Sequence, residues 1–195
     1  MRIILASNNK GKIEEFKKLL PKVSIIPFGE ILGDFEIIED GLTFQENAIK
    51  KAKEVYEKLN DDSCIVISDD SGISVPALNG EPGIYSARYS KEGTDSSNNN
   101  KLIKNLKEKD LNNTAAYYTA CIAIVYKNEV YTVHSWMHGK IITEARGEGG
   151  FGYDPMFIPV NYDKTLAQLP YEVKKTLSHR SKALHLALKI IDLLL

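Results

Sequence analysis

The sequence is poor in cysteine and has no long hydrophobic segment. Its two cysteines, Cys64 and Cys121, each lie within an apolar run, and no Cys-x-x-Cys pair occurs. This pattern argues against a disulfide framework or a structural zinc site, and it fits a reducing compartment. Because no apolar run approaches the ~20 residues that a helix needs to span a bilayer, we expect a cytoplasmic protein with no membrane partner.

An excess of positive charge is also absent, as are two common catalytic motifs. The 25 lysines and arginines are matched by 26 acidic residues, a net charge of -1, which argues against a nucleic-acid partner. The chain contains neither the Gly-x-x-x-x-Gly-Lys-[Ser/Thr] phosphate loop nor the Gly-x-Ser-x-Gly elbow of serine hydrolases. Its 195 residues suffice for one domain, or for two small lobes that share a core.

Strand and helix patterns alternate in the first third of the chain. Residues 3–5 and 64–67 are short apolar runs that predict buried strands, and residues 11–20 predict an amphipathic helix. Thr43 and Glu46 form a capping-box pair, so a second helix is expected to begin near Thr43.

The rest of the chain predicts two helices and an antiparallel pair of strands. Residues 95–109 have a helical pattern, and residues 115–126 and 130–136 read as strands joined by a turn at Asn128. A final helix is expected after Ser178, its N-cap. The apolar face of that helix contains Leu184, Leu188, Ile191 and Leu195. Together these elements predict an α/β fold with a mixed sheet flanked by helices.

The polar segment Ser7–Lys12 lies between the first strand and the first helix. A helix N-terminus presents free backbone N–H groups and the positive end of the helix dipole, which favours an anion such as phosphate. Lys12 would add a mobile positive charge. The alternative is an ordinary strand-to-helix turn with solvated lysines.

Paired carboxylates follow the second predicted strand. Asp69 and Asp70 are adjacent, so their side chains are expected to point to opposite faces and only one of them into a given cleft. Oxygen ligands of this kind suit Mg²⁺, and Glu39 and Asp40 offer further carboxylates. The alternative here is a solvated turn.

Two later segments favour a nucleoside ligand. The glycine-rich run at residues 147–155 contains Phe151 and Tyr153, whose rings could stack on a planar base, although such turns also close ordinary sheets. His179 and Arg180 lie at the expected start of the last helix, with Lys174 upstream. Cations there oppose the helix dipole, which favours a role in binding an anionic or base-like ligand.

Taken together, six segments resemble the inosine triphosphate pyrophosphatase family, also called the Ham1-like purine nucleoside triphosphatases. The segments are Ala6–Lys12, Glu39–Phe44 with Glu46–Ala48, Asp69–Gly72, Gly80–Tyr89, Gly149–Pro155 and Ser178–Arg180. They occur in the family's order along the chain. The first loop departs from the family's commoner Thr-Gly-Asn, but Ser7 keeps the hydroxyl and Asn8 tolerates left-handed backbone better than most residues.

The resemblance implies an enzyme that hydrolyses ITP, dITP and XTP to the monophosphate and pyrophosphate, and so clears deaminated nucleotides. It also implies dependence on Mg²⁺, a homodimer, and an elongated α/β molecule formed by residues 1–195 as one domain with two lobes and a central cleft.

Residue roles implied by the resemblance fall into two groups. Asp70 is expected to activate water and to bind Mg²⁺, with Glu39 as the second metal ligand and Asp40 as the alternative to Glu39. Substrate contacts at the triphosphate are expected from Ser7, Asn8, Asn9, Lys10, Gly11 and Lys12. The nucleoside is expected to contact Phe151, Gly152, Tyr153 and Asp154, with Lys174, His179 and Arg180 at the base. Ser71 is expected to touch the substrate as well.

Two other functions compete with this one. A Maf-like nucleotide pyrophosphatase would share a phosphate-binding first loop, but the segments at residues 151–154 and 178–180 count against it. A nucleotide-binding module without catalysis would gain little from the carboxylates Glu39, Asp69 and Asp70.

Overall fold

The computed structural model describes residues 2–21, 23–33 and 35–194. Within these residues the strands form a six-stranded sheet in the order β2-β1-β3-β4-β5-β6. The strands are β1 (Arg2–Leu5), β2 (Ile25–Pro27), β3 (Cys64–Ser74), β4 (Asn113–Tyr126), β5 (Glu129–Ile142) and β6 (Phe157–Pro159). Strand β1 pairs in parallel with β2 and β3, whereas β5 and β6 are antiparallel. The predicted mixed sheet is therefore confirmed.

Helices flank this sheet, as predicted. They are α1 (Lys10–Leu19), α2 (Gly29–Leu32), α3 (Phe44–Leu59), α4 (Asp95–Lys107), α5 (Tyr171–Leu177) and α6 (His179–Leu194). Thr43 caps α3 as expected, since its hydroxyl accepts from the backbone N–H of Glu46 at 3.0 Å. The Glu46 carboxylate reaches the backbone N–H of Leu42 at 2.7 Å. No helix in the described part of the chain is long and apolar enough to cross a membrane.

The chain divides into two compact units. The first contains the chain up to Asp70, residues 120–134 and the chain from Ala183 onward; the second contains residues 71–119 and 135–182. The boundaries therefore fall inside β3, β4, β5 and α6.

The core of the first unit fixes which side chains of β3 face which helix. Ile65 and Ile67 pack in one cluster with Phe16 of α1. Val66 packs in a second cluster with Ala48 of α3. Because successive side chains of a strand point to opposite faces, odd-numbered residues of β3 face α1 and even-numbered residues face α3.

The second unit has its own core. Its cluster combines residues from the second half of β3, from α4 and from β4 to β6. Its buried members include Ile73, Leu102, Leu106, Tyr118, Tyr153 and Phe157. This core supports the loops at residues 147–155 and the start of α6.

The structure corrects the predicted length of two strands. The sequence pattern ends the second predicted strand at Ile67, but β3 continues to Ser74, so Asp69 and Asp70 lie inside a strand. Lysines from two helices pair with these carboxylates, which offsets part of the usual penalty for burying them. Strand β5 likewise continues beyond Trp136 to Ile142.

The predicted last helix is confirmed with Ser178 as its N-cap. Helix α6 begins at His179, and the Ser178 hydroxyl accepts from the backbone N–H of Ser181 at 3.4 Å. Leu195, expected on its apolar face, lies outside the described residues. Helix α5, which ends one residue before the cap, was not predicted from the sequence.

Candidate functional site

The segment from Ser7 to Lys12 contains the loop that joins β1 to α1, the N-cap Asn9 and the first residues of that helix. The Asn9 side chain accepts from the backbone N–H of Lys12 at 3.0 Å, and the backbone N–H of Asn9 donates to the Ser7 hydroxyl at 3.2 Å. Asn8, Lys10 and Gly11 are exposed. The first N–H groups of a helix have no partner within the helix, so this end of α1 can accept an anion, as the sequence predicts.

Lys12 is fixed by the first of the paired aspartates. Its ammonium group donates to the Asp69 carboxylate at 2.9 Å and to the Asp69 carbonyl oxygen at 3.1 Å. Asp69 is an odd-numbered residue of β3 and faces α1, as the strand alternation requires. The side chain of Asp69 is fully buried, so it holds the lysine ammonium at the beginning of α1.

The second aspartate belongs to a different ion-pair group, centred on Lys51 of α3. The Lys51 ammonium lies 2.6 Å from Glu39 Oε1, 2.9 Å from Asp70 Oδ1 and 3.0 Å from the Asp69 carbonyl oxygen. Asp69 and Asp70 are therefore directed to lysines of two different helices, which confirms the prediction that their side chains diverge. We call Lys12, Glu39, Lys51, Asp69 and Asp70 the carboxylate–lysine cluster.

Lys51 was not predicted as a site residue. The signal in the sequence was its position within the apolar stripe of α3, between Ala48 and Val55, where a lysine must find a buried partner. Burial alone would lower the pKa of Lys51, but the charges of Asp70 and Glu39 outweigh burial and raise it. Lys51 therefore remains a cation at neutral pH.

Asp70 combines deep burial with an unused oxygen. It is 5% exposed, and its Oδ2 has no hydrogen-bond partner among the described residues. Burial raises the pKa of Asp70, and the positive charges of Lys51 and Lys12 offset only part of that rise. A carboxylate with a raised pKa and a free lone pair is a stronger proton acceptor than an ordinary surface aspartate.

The structure distinguishes between the two carboxylates that precede α3. Glu39 binds Lys51 in the cluster, whereas Asp40 is exposed and pairs with Lys50. The hydrogen bond from Lys50 and its charge lower the pKa of Asp40. Asn47 fixes the loop between them and α3, because its Oδ1 accepts from the backbone N–H of Gly41 at 2.8 Å. Glu39 therefore remains the better candidate for the metal site.

The donor set suits a hard cation that takes few protein ligands. The described residues contain no group of three or more histidine, cysteine or acidic side chains arranged to hold a metal. The carboxylates of Glu39 and Asp70 both pair with the Lys51 ammonium. Asp70 Oδ2 has no hydrogen-bond partner among the described residues, so it can still accept a ligand. The cluster also has one more carboxylate than it has lysines. Mg²⁺ typically binds through one or two carboxylates together with waters and substrate phosphates, so these residues fit it.

The second unit contains the glycine-rich loop. Phe151 is 53% exposed, whereas Tyr153 is 4% exposed and donates its hydroxyl hydrogen to the Ser86 carbonyl oxygen at 2.8 Å. Of the two aromatic rings in this loop, that of Phe151 is accessible for stacking on a base and that of Tyr153 is not. The expectation that Tyr153 lines a nucleoside pocket stays a prediction, and its side chain belongs to the core cluster that supports the loop.

Asp154 and Lys174 form an ion pair beside this loop. Their charged atoms are 2.6 Å apart. Burial raises the pKa of Asp154, and the Lys174 charge offsets part of the rise. A Cβ at Gly150 would collide with both side-chain ends, and the φ of Gly150 is +87°, so glycine is required where the loop passes the pair.

The start of α6 places two further predicted residues. The Arg180 guanidinium donates to the Ser71 hydroxyl at 2.8 Å and lies 5.7 Å from the centre of the Phe151 ring. The His179 ring stacks on the Tyr118 ring, with centres 4.7 Å apart and planes 13° apart. Arg180 is 3% exposed. The second unit thus brings together an accessible ring, a guanidinium, a hydroxyl and an imidazole; we call Ser71, Phe151, His179 and Arg180 the aromatic–cation group.

Comparison with known proteins gives full-length matches. The model of the family described as "Ham1 family" matches residues 3–190. A protein of Aliarcobacter butzleri named dITP/XTP pyrophosphatase is 58% identical over 199 residues, covering all of both chains. The solved structure of the Staphylococcus aureus Ham1 protein is 40% identical to this chain, with a TM-score of 0.87. That of a HAM1 protein from Coxiella burnetii is 33% identical, with a TM-score of 0.88. Each of these two matches covers 98% of both chains.

Proposed function

This chain belongs to the Ham1 family, and we propose that its carboxylate–lysine cluster carries out the reaction of that family. The activity is hydrolysis of deaminated purine nucleoside triphosphates, the work of a hydrolase that acts on acid anhydrides. ITP, dITP and XTP yield the monophosphate and pyrophosphate. Between the two enzyme classes considered from the sequence, the match to the Ham1 family favours this one over a Maf-like enzyme.

Asp70 is the proton acceptor in this proposal. The observation that carries it is the buried Asp70 carboxylate, which has one oxygen on Lys51 and the other without a partner among the described residues. The unpartnered Oδ2 can orient a water molecule and accept its proton, and a raised pKa suits that task. Lys51 holds Asp70 in place and keeps the buried charge compensated.

Lys12 and the end of α1 are assigned to the phosphates. As pyrophosphate leaves, negative charge grows on its oxygens, and preorganised donors stabilise that charge most where water is excluded. The Lys12 ammonium and the N–H groups at Lys10 and Gly11 are such donors, with Ser7, Asn8 and Asn9 forming the loop that presents them.

Pyrophosphatases of this family generally depend on a divalent metal ion, and we propose that the ion here is Mg²⁺. Glu39 and Asp70 would hold it, since these two carboxylates meet at Lys51. When bound, Mg²⁺ neutralises charge on phosphate oxygens. The protein's own contribution is to bring both carboxylates together beside the Lys51 cation.

The aromatic–cation group is assigned to the base. The exposed Phe151 ring offers a stacking surface, and Arg180 and His179 offer hydrogen-bond donors for the 6-keto oxygen of a deaminated purine. A 6-amino group would leave a buried donor unpaired, which costs free energy and so disfavours ATP. The loop that carries Phe151 would be supported by Gly152 and by the ion pair of Lys174 with Asp154. The Ser71 hydroxyl would orient Arg180.

One experiment tests the activity and the metal together. The protein is incubated with ITP and Mg²⁺, and the products are separated; IMP and pyrophosphate are expected, with loss of activity in a chelator and recovery on adding Mg²⁺. Formation of IDP and phosphate, or no turnover of ITP, dITP or XTP, would contradict the proposal. ATP under the same conditions serves as the control for base selection.

We further propose a cytoplasmic homodimer in which the two units are the lobes of one domain. A nucleotide-clearing enzyme must act where the nucleotide pool is, which supports the compartment. Light scattering on the purified protein would test the dimer, and a monomeric mass at enzyme-assay concentrations would contradict it.

A further inference from the structure

The loop that carries Phe151 is held by a helix that has no part in the assignments above. The backbone N–H of Gly152 donates to Asp95 Oδ2 at 2.7 Å, and the Asn99 side-chain amide donates to the Gly152 carbonyl oxygen at 3.0 Å. Both polar groups of one residue of the loop are thus bound by α4. Neither Asp95 nor Asn99 was predicted as a site residue.

Helix geometry explains why two residues of α4 can bind one glycine. Asp95 and Asn99 are four residues apart, so their side chains lie on the same face of the helix. Thr94 and Ser97 cap α4 through a reciprocal capping box, which fixes the first turn where Asp95 lies. A carboxylate acceptor makes the bond to the Gly152 N–H charge-assisted, hence stronger than a bond between neutral groups.

The loop needs such an anchor because of its glycines. Gly150 and Gly152 have φ values of +87° and +60°, and glycine loses more conformational freedom than other residues when its backbone is fixed. The ion pair of Lys174 with Asp154 holds the loop two residues beyond Gly152. Phe151 directly precedes Gly152 in the chain. The backbone direction at Gly152 therefore determines where the exposed Phe151 ring points.

The hydrogen bonding of Asn99 indicates that this contact is more than incidental stabilisation. The side-chain oxygen of Asn99 is buried and has no partner among the described residues. A buried unsatisfied acceptor costs free energy. The amide must nevertheless present its nitrogen, because the Gly152 carbonyl oxygen can only accept.

We propose that Asp95 and Asn99 are positioning residues for purine recognition: together they clamp Gly152, and the clamp holds the Phe151 ring beside Arg180 for stacking on the base. This inference rests on the proposed function of the aromatic–cation group and adds to it the helix that orders the group. Neither residue needs to touch the nucleotide.

The test compares steady-state kinetics with ITP across a small set of variants. Removing one hydrogen bond of the clamp in Asn99→Ala is expected to raise KM about tenfold with kcat nearly unchanged. Asn100→Ala is the matched control, because Asn100 is an exposed asparagine on the same helix; its KM should equal that of the wild type. A KM for Asn99→Ala equal to that of the control would overturn the proposal.

Asp95 gives an independent arm in case Asn99→Ala does not fold. Asp95→Asn and Asp95→Ala both remove a negative charge from the first turn of α4, so both lose the same favourable interaction with the helix dipole. Only the asparagine keeps an oxygen that can accept from Gly152. A raised KM in Asp95→Ala that Asp95→Asn largely restores supports the clamp, and equal KM values in the two variants contradict it.

A double-mutant cycle separates this inference from the proposed function. If the clamp acts through Phe151, adding Asn99→Ala to Phe151→Ala should raise KM no further, because residues that act as a unit are not additive. A full additional effect would overturn the clamp. If Phe151→Ala alone leaves KM unchanged, base stacking fails and the clamp inference fails with it; if Phe151→Ala raises KM and Asn99→Ala does not, only the clamp fails.

Discussion

Replacing each of the paired aspartates by asparagine gives the sharpest test of the catalytic assignment. Asp70→Asn keeps the shape of the side chain but removes its charge and its basicity, while Asp69→Asn makes the same chemical change one residue earlier. The two residues differ in partner, since Asp70 binds Lys51 and Asp69 binds Lys12. Their kinetic effects should differ for that reason.

The structure allows the size of each effect to be estimated. A general base contributes about 10²–10⁴-fold, and loss of a metal ligand adds to that, so kcat of Asp70→Asn should fall by roughly 10³ or more, about 4 kcal/mol. Asp69→Asn loosens Lys12 instead, so its main effect should be a higher KM. The fold should survive Asp70→Asn, because the cluster contains three carboxylates and two lysines and loses its excess negative charge.

The assay measures kcat and KM for both variants with ITP at saturating Mg²⁺, together with thermal unfolding. Because burial raises the pKa of Asp70, the ionised carboxylate is held at a cost, and Asp70→Asn should unfold at the wild-type temperature or above it. An Asp70→Asn enzyme that keeps more than about a tenth of the wild-type kcat lies well outside the range of a general base. That result would refute the assignment.

Four further substitutions probe the other assignments. Lys12→Ala should raise KM for ITP strongly with little change in melting temperature; a large drop in melting temperature at normal KM would make Lys12 structural. Arg180→Ala should lose at least ~2 kcal/mol in kcat/KM for ITP, and unchanged turnover with an intact fold would contradict its role at the base. Lys51→Met leaves buried carboxylates uncompensated, so both kcat and melting temperature should fall; wild-type values of either would argue against its place in the cluster. Lys174→Met should lower stability by about 2 kcal/mol at pH 7.5. The folded-state pKa of Asp154 is raised, so its charged form is the costly one and stability is lost as pH rises through that pKa. The loss of stability in Lys174→Met should therefore be smaller at pH 4.5 than at pH 7.5. An equal loss at both pH values in thermal unfolding would contradict this pH dependence.

Local signals predicted the four longest helices well and the strand ends poorly. A helix start is specified by a capping residue, such as Thr43 or Ser178, and its buried face by the apolar stripe that follows. These signals lie close together in the sequence, and the structure confirms the helix starts that they predict. The end of β3 is different, since Asp69 and Asp70 are poor strand residues by composition. They remain in the strand because lysines from α1 and α3 reach them, and those contacts depend on the packed fold.

The same distinction explains which site residues were missed. Lys12, Asp70 and Arg180 stand in motifs, so their positions in the chain point to a ligand. Lys51 and Asn99 stand in ordinary helical sequence, and what they do depends on partners 12 or more positions away. Only a lysine inside an apolar stripe gave a usable sign for the first, and the sequence offered none for the second.

The register of β3 is what makes two adjacent carboxylates chemically distinct. Ile65, Ile67 and Asp69 face α1, while Val66 and Asp70 face α3. A slip of one residue would exchange the two sets, so neither core would receive the side chains that fill it, and each aspartate would face the other helix. Packing of the strand's first half therefore excludes the wrong register, and the same packing directs Asp69 to Lys12 and Asp70 to Lys51. The core thus directs the proposed catalytic carboxylate toward α3, where Lys51 then holds it.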